Sequence, residues 1–154
     1  MKITTALTTA DYDTGKKLFL EYAESLGFSI CFQNFEQELA DIQIQYGAPN
    51  GCLLLVNDGE LTVGCAGVRR WEGDIAELKR MYLRPSTRGQ GMGRRLLDSA
   101  LEHARQLGYR SIRLDTLPGM EAAIALYREA GFKKIPAYRD NPFPDTLYME
   151  KEFF

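Results

Sequence analysis

Arg88-Gly89-Gln90-Gly91-Met92-Gly93 separates an extended apolar segment, ending at Leu83, from a strongly amphipathic stretch that begins at Met92. Alternate glycines leave no Cβ in the way, so a row of backbone N–H groups can close around an anion. A helix starting there adds about half a unit of positive charge at the same point. Strand, glycine turn and helix in this order make a phosphate cradle, and the fold must keep that turn open to a ligand.

The 154 residues fit one domain spanning 1–154. Hydrophobic residues make up 45% and charged residues 26%, enough for a packed core and too balanced for disorder. A net charge of −2 with no basic stripe argues against nucleic acid as a partner and would suit an amine-bearing substrate. Cys31, Cys52 and Cys65 have no C-x-x-C spacing, which points to reduced thiols rather than a disulfide scaffold or metal site. His103 alone cannot build a histidine metal centre, and its place on the polar side of a helix reads as solvated. Met1-Lys2-Ile3-Thr4-Thr5 shows no secretory leader, and no segment has the length of a membrane span. The expectation is a cytoplasmic protein with no membrane partner.

Periodicity places the elements. Lys2 to Leu7 reads as a strand, and Thr9 as the cap of a helix carrying Leu18, Phe19, Tyr22 and Leu26, stopped by Gly27. A weaker helix covers Phe35 to Gln43. Cys52–Val56 and Leu61–Val68 flank Asn57-Asp58-Gly59, a hairpin signal, and Glu72-Gly73-Asp74 turns into a strand from Ile75 to Leu83. Met92, Leu96, Leu97, Ala100, Leu101, Ala104 and Leu107 form one helical stripe. Ser111–Thr116 is the next strand, parallel to the Ile75 strand if the helix is a crossover. A helix from Gly119 to Glu129 and strands near Lys133–Ile135 and Thr146–Lys151 complete the chain.

The glycine loop alone leaves alternatives. No lysine and hydroxyl residue follow Gly93, which excludes a Walker nucleotide loop. A dinucleotide fingerprint would need glycine where Arg94 stands, although Asp115 lies near the required acidic spacing. A glycine-rich connection without a ligand is the third reading.

The surroundings narrow the choice. Tyr82-Leu83-Arg84-Pro85 running into Arg88–Gly93, followed downstream by Ala125-Leu126-Tyr127-Arg128-Glu129-Ala130-Gly131-Phe132, resembles the GNAT superfamily of acyl-CoA N-acyltransferases over essentially the whole chain. The resemblance implies a mixed α/β domain with a twisted sheet of about seven strands, about four helices and a splayed, parallel fourth and fifth strand. It also implies acetyl-CoA as donor, with no metal. Backbone at Met81, Tyr82 and Leu83 would bond the pantetheine arm and polarise the thioester. The amides of Arg88, Gly89, Gln90, Gly91, Met92, Gly93 and Arg94 would hold the pyrophosphate. Side-chain changes at Gln90 and Met92 should then matter less than bulk at Gly91 or Gly93.

Tyr127 matches the position where many members present a general acid to the departing thiolate, although its spacing with Ala123 and Leu126 also fits core packing. Glu77 matches a glutamate that serves as base in members acetylating lysine side chains. Strict alternation would put it on one face with Lys79, Met81 and Leu83. Its other reading is an ion pair, with Lys79 or across strands.

Asp115 and Thr116, ending their strand, are candidates for the acceptor side. Acceptor choice is expected from Leu26 to Asn34, with Phe28 and Phe32, and from Ala137 to Asp145, with Tyr138, Phe143 and the ammonium candidates Asp140 and Asp145. The expected activity is acetyl transfer to a primary amine of a small molecule. A protein lysine or N-terminal acceptor, and a coenzyme-binding sensor without turnover, are the alternatives. Pairing of chains through the last strands would make a homodimer.

Overall fold

A computed structural model describes residues 1–27, 34–141 and 143–154. Seven strands form one sheet in the order β1-β2-β3-β4-β5-β7-β6: β1 (Lys2–Thr5), β2 (Cys52–Asp58), β3 (Leu61–Glu72), β4 (Ile75–Leu83), β5 (Ser111–Thr116), β6 (Lys133–Ile135) and β7 (Leu147–Glu152). Among the described residues only β4 and β5 pair in parallel, because α4 (Met92–Gln106) crosses over between them. One face carries α4 and α5 (Glu121–Glu129). The other carries α1 (Thr9–Ser25), α2 (Phe35–Ala40) and α3 (Ile42–Gln45).

The α4 stripe is buried as the periodicity requires, from Met92 through Leu96, Leu97, Ala100 and Leu101 to Ala104. Each fully buried leucine is worth about 1.5–3 kcal/mol against exposure. On the opposite face Leu18 and Phe19 of α1 pack over Leu53, Leu55 and Tyr46. Strand β2 is therefore apolar on both sides, with no alternation to read.

Three local expectations need correction. The cap of α1 is Thr8, whose Oγ1 accepts from the Asp11 amide at 3.1 Å while Asp11 accepts from the Thr8 amide at 3.1 Å. This reciprocal box fixes the start one residue earlier. The second helix breaks at Asp41 into α2 and α3, bringing the number of α-helices among the described residues to five. His103 is half-buried rather than solvated, with Nδ1 2.8 Å from the Ser99 carbonyl and Nε2 3.3 Å from Thr5 Oγ1.

The fourth correction concerns β4. Gly67 pairs with Lys79 but Cys65 pairs with Tyr82, so Ala66 opposes both Arg80 and Met81. Arg80 absorbs the extra residue with a left-handed φ of 57°. The bulge inverts the alternation: Glu77 and Lys79 face the α1–α2 side, whereas Met81 and Leu83 pack with the α4 core. These four residues therefore do not share one face.

Tyr46 is locked under β3, its hydroxyl donating to Glu38 at 2.9 Å and its carbonyl accepting from Tyr12 at 2.9 Å. A Cβ on Gly67 would stand 2.5 Å from the Tyr46 ring. Gly67→Val is expected to cost about 1–3 kcal/mol, lowering Tm by roughly 2–12 °C. A thermal melt unchanged to within about a degree would show that the ring gives way.

Candidate active site

The β4–β5 ladder contains three pairs, Ile75↔Ser111, Ala76↔Ile112 and Glu77↔Arg113. Past Glu77 each strand keeps its other partner: β4 follows β3 to Leu83, and β5 follows β7 to Thr116. Only the edge they share opens. A cleft of about 490 Å³ follows, with Met81, Tyr82 and Leu83 on one wall and Gly119–Ala123 and Leu126 on the other. Its size is within the range of small-ligand sites. An inner recess of about 40 Å³ adjoins it, sharing Tyr22, Leu26, Met81 and Met120.

At the outer end, Arg84 caps a short 3₁₀ turn, Pro85–Thr87, and the glycine loop follows. Gly89 and Gly91 take positive φ values of 80° and 76°, a conformation that strains any residue with a Cβ. Gly91 precedes α4, whose first turn has no side-chain cap; the first intrahelical bond found there is from the Arg95 amide to the Gly91 carbonyl at 3.3 Å. The amides of Met92, Gly93 and Arg94 are thus presented at the positive end of the helix dipole. Arg88, Gly89 and Gly93 border the cleft; Gln90, Gly91, Met92 and Arg94 do not. Arg94 turns to Glu129 at 3.1 Å, and Arg88 donates to the Leu83 carbonyl at 3.0 Å. Met92 is 2% exposed, so its side chain packs in the core, a contribution that the expected backbone role does not include.

Tyr127 is buried on α5 beside Phe132, ring centres 5.7 Å apart, and lines the inner recess. Burial, with Tyr22 and Asp115 nearby, pushes its phenol well above the ordinary range, so it stays protonated at working pH. Asp115, Thr116 and Lys79 border the same recess, with Asn141 and Phe143 contributed by the last loop. The ammonium candidates Asp140 and Asp145 are exposed and do not border it. Phe28, Phe32 and Cys31 lie outside the described residues.

Glu77 is fully buried in a set of ion pairs. One oxygen accepts from Arg69 Nε at 3.0 Å and Nη2 at 2.9 Å, and the other accepts from Tyr138 at 2.8 Å and from Arg139 Nη2. Burial alone would raise its pKa, but Lys79, Arg69 and Arg139 outweigh it and pull the carboxyl down to about 2. The cross-strand pair is thus present, with Arg69 as its directly opposed residue. Neither Glu77 nor Arg139 was expected to meet the other.

Residues 17–132 match the profile of the Acetyltransferase (GNAT) family. The chain belongs to the GNAT family. It is 38% identical over 144 residues to an uncharacterized N-acetyltransferase of Schizosaccharomyces pombe, covering 92% of this chain and 88% of the relative. An IAA acetyltransferase of Azospirillum brasilense is 36% identical over 115 residues, covering 73% and 74% of the two chains. A Klebsiella pneumoniae structure described as an acyl-CoA N-acyltransferase superposes with a TM-score of 0.73 at 29% identity, over 99% of this chain and 97% of that one. The enzyme is accordingly an acetyl-CoA-dependent N-acetyltransferase, and its splayed β4 and β5 are those of a GNAT sheet.

For this GNAT enzyme, Tyr22, Met120 and Lys79 were not singled out from sequence, although they wall the two cavities. Tyr22 carried a signal only as a member of its helix stripe, and Lys79 only as a candidate ion-pair partner of Glu77. No group of metal-binding side chains occurs among the described residues, and no helix among them is long and apolar enough to cross a membrane.

The depressed Glu77 pKa has a defined sign. Its stabilisation is present above the unfolded value of 4.5 and is lost as pH falls through about 2. Glu77→Gln leaves Arg69 and Arg139 buried without their carboxylate, an expected cost of about 3–5 kcal/mol. It should also flatten the acid limb of stability between pH 4.5 and about 2. Urea unfolding followed by Trp71 fluorescence across that range checks both. An acid limb identical to the parent's would assign the sensitivity to other carboxylates.

Proposed function

We propose that this enzyme transfers the acetyl group of acetyl-CoA to the primary amine of a small molecule, by direct attack and with Tyr127 as general acid. One observation carries the reading: the β4 edge left by β5 after Glu77 leads from the glycine loop to the recess where Tyr127 stands. The donor cleft and the acceptor recess meet at Met81.

Acetyl-CoA, when bound, supplies an acyl thioester whose carbonyl carbon is open to attack. The amides at the start of α4, the positive-φ glycines and Arg88 suit its pyrophosphate. A Cβ at Gly93 would approach Leu126 to 3.1 Å, so glycine there keeps the cleft wall close to the loop. Backbone from Met81 to Leu83 suits an extended arm added along a strand edge, and an amide there can stabilise the carbonyl oxygen as it gains charge. The ammonium first releases one proton to water, and the free amine nitrogen then bonds to the acyl carbon as the carbon–sulfur bond breaks. Nitrogen loses a second proton to water, sulfur takes one from Tyr127 Oη, and solvent restores the phenol.

In this scheme Glu77 is a positioning residue rather than the base. Its oxygens are engaged by Arg69, Tyr138 and Arg139, which ties the last loop to β3 and β4. A carboxyl held near a pKa of 2 is a poor proton acceptor at neutral pH. The narrow inner recess and the relative named for IAA support a small acceptor over a protein one.

Tyr127→Phe is expected to lower kcat by about 10²–10⁴-fold while acetyl-CoA still raises Tm as it does in the parent. Thiol release with a panel of amines measures the first and a thermal melt the second. An undiminished kcat would return Tyr127 to the core. No thermal shift with acetyl-CoA would remove the donor assignment itself.

A further inference from the structure

Lys79 and Asp115 each lie two residues beyond the last β4–β5 pair, Glu77↔Arg113, and so face each other across the opening gap. Lys79 Nζ stands 3.5 Å from Asp115 Oδ1. The side chains of Lys79 and Asp115 are only 2% and 10% exposed, and both residues border the recess that adjoins the cleft at Met81. A buried cation and a buried carboxylate are therefore held side by side at the recess that adjoins the cleft.

The wider charge balance adds a preference. Around the recess Arg69, Lys79, Arg80 and Arg139 are linked to Glu38, Glu77 and Asp115. Among the described residues of this set, four cations meet three carboxylates. One buried positive charge is in excess. A plain alkylammonium would add a second, which a low-dielectric site resists, whereas an acceptor carrying its own carboxylate adds none. Arg139 Nε is also buried without a hydrogen-bond partner, 3.9 Å from Asp115 Oδ2, so the positive side of this cluster is incompletely satisfied.

We propose that the acceptor is an amino acid, its carboxylate received by Lys79 and its amine directed past Asp115 toward the acyl carbon at Met81. This rests on the small-amine reading above and names the chemistry of that amine. Asp115 orients the ammonium end, and Lys79 distinguishes acids from simple amines. The head group lies between Lys79 and Asp115, and the side chain extends toward Asn141, Phe143 and Thr146 in the same recess.

The test compares matched pairs in thiol release with acetyl-CoA: each amino acid against the amine formed by its decarboxylation. The parent enzyme is expected to favour the acid by at least about tenfold in kcat/KM. In Lys79→Met the ratio should collapse toward one, chiefly through KM for the acid, and Lys79→Arg should keep most of it. Thermal melts establish that each variant is folded, and the parent's own ratio needs no variant. A parent that uses decarboxylated amines as well as, or better than, the acids overturns the proposal and leaves amine acetylation standing. A ratio unaltered in folded Lys79→Met overturns the role of Lys79. No turnover of either class, in protein stabilised by acetyl-CoA, defeats the small-amine reading and this inference with it.

Discussion

The architecture of the site hangs on one buried ion pair. Arg80 holds a left-handed backbone at φ 57°, a conformation that costs a non-glycine residue about 1–3 kcal/mol. Its guanidinium is gripped by Glu38 through Nε at 3.0 Å and Nη2 at 2.9 Å, and stacks 5.0 Å from the Phe35 ring. The Cys65 thiol donates to the Arg80 carbonyl at 3.3 Å. These contacts offset the strain and keep one extra residue in β4. The bulge sends Met81 and Leu83 to the α4 side while Tyr82, bonded to Glu21 at 2.9 Å, stays with α1. Just before it, β5 leaves β4.

The two halves of the opened edge are built from different materials. The outer half, proposed for the donor, is mainly backbone: glycines at positive φ, uncapped amides and a strand edge, with Arg88 also at its border. Arg94 points to Glu129, and Met92 points into the core. The inner half, which the proposed function gives to the acceptor, is side chain: Lys79, Asp115 and Tyr127 around a small recess, braced by Glu77 and its two arginines. Burying so many charges is costly unless each is paired, which is why a single carboxylate such as Glu77 serves two strands and a loop at once. This division fits a family in which one donor is shared and the acceptor differs from member to member.

Much of the fold was legible because hydrophobic period is local. The bounds of β4, β5 and β6 and the buried stripe of α4 follow from alternation, helical spacing and turn residues. The glycine loop was legible for the same reason, since left-handed backbone can be read from glycine. Even the Arg69–Glu77 pair had a signal, as both residues lie four positions from Gly73 in the turn. The face assignment of Met81 was not legible: Arg80 is the wrong residue type to announce a positive φ, and its compensating partner is 42 positions away in Glu38. Alternation fails wherever a distant contact stabilises an extra residue.

Sequence by itself determined the family, the donor and the order of elements, because these rest on short spacings and on residues whose backbone preferences are intrinsic. Tertiary structure alone decided which side chains line the inner recess. Glu77 became the centre of an ion-pair set with Arg69 and Arg139, and Lys79 and Asp115 came to oppose each other across the gap. Such electrostatic roles depend on burial and on neighbours brought from far along the chain. A carboxylate has no fixed function until its surroundings set the cost of its charge.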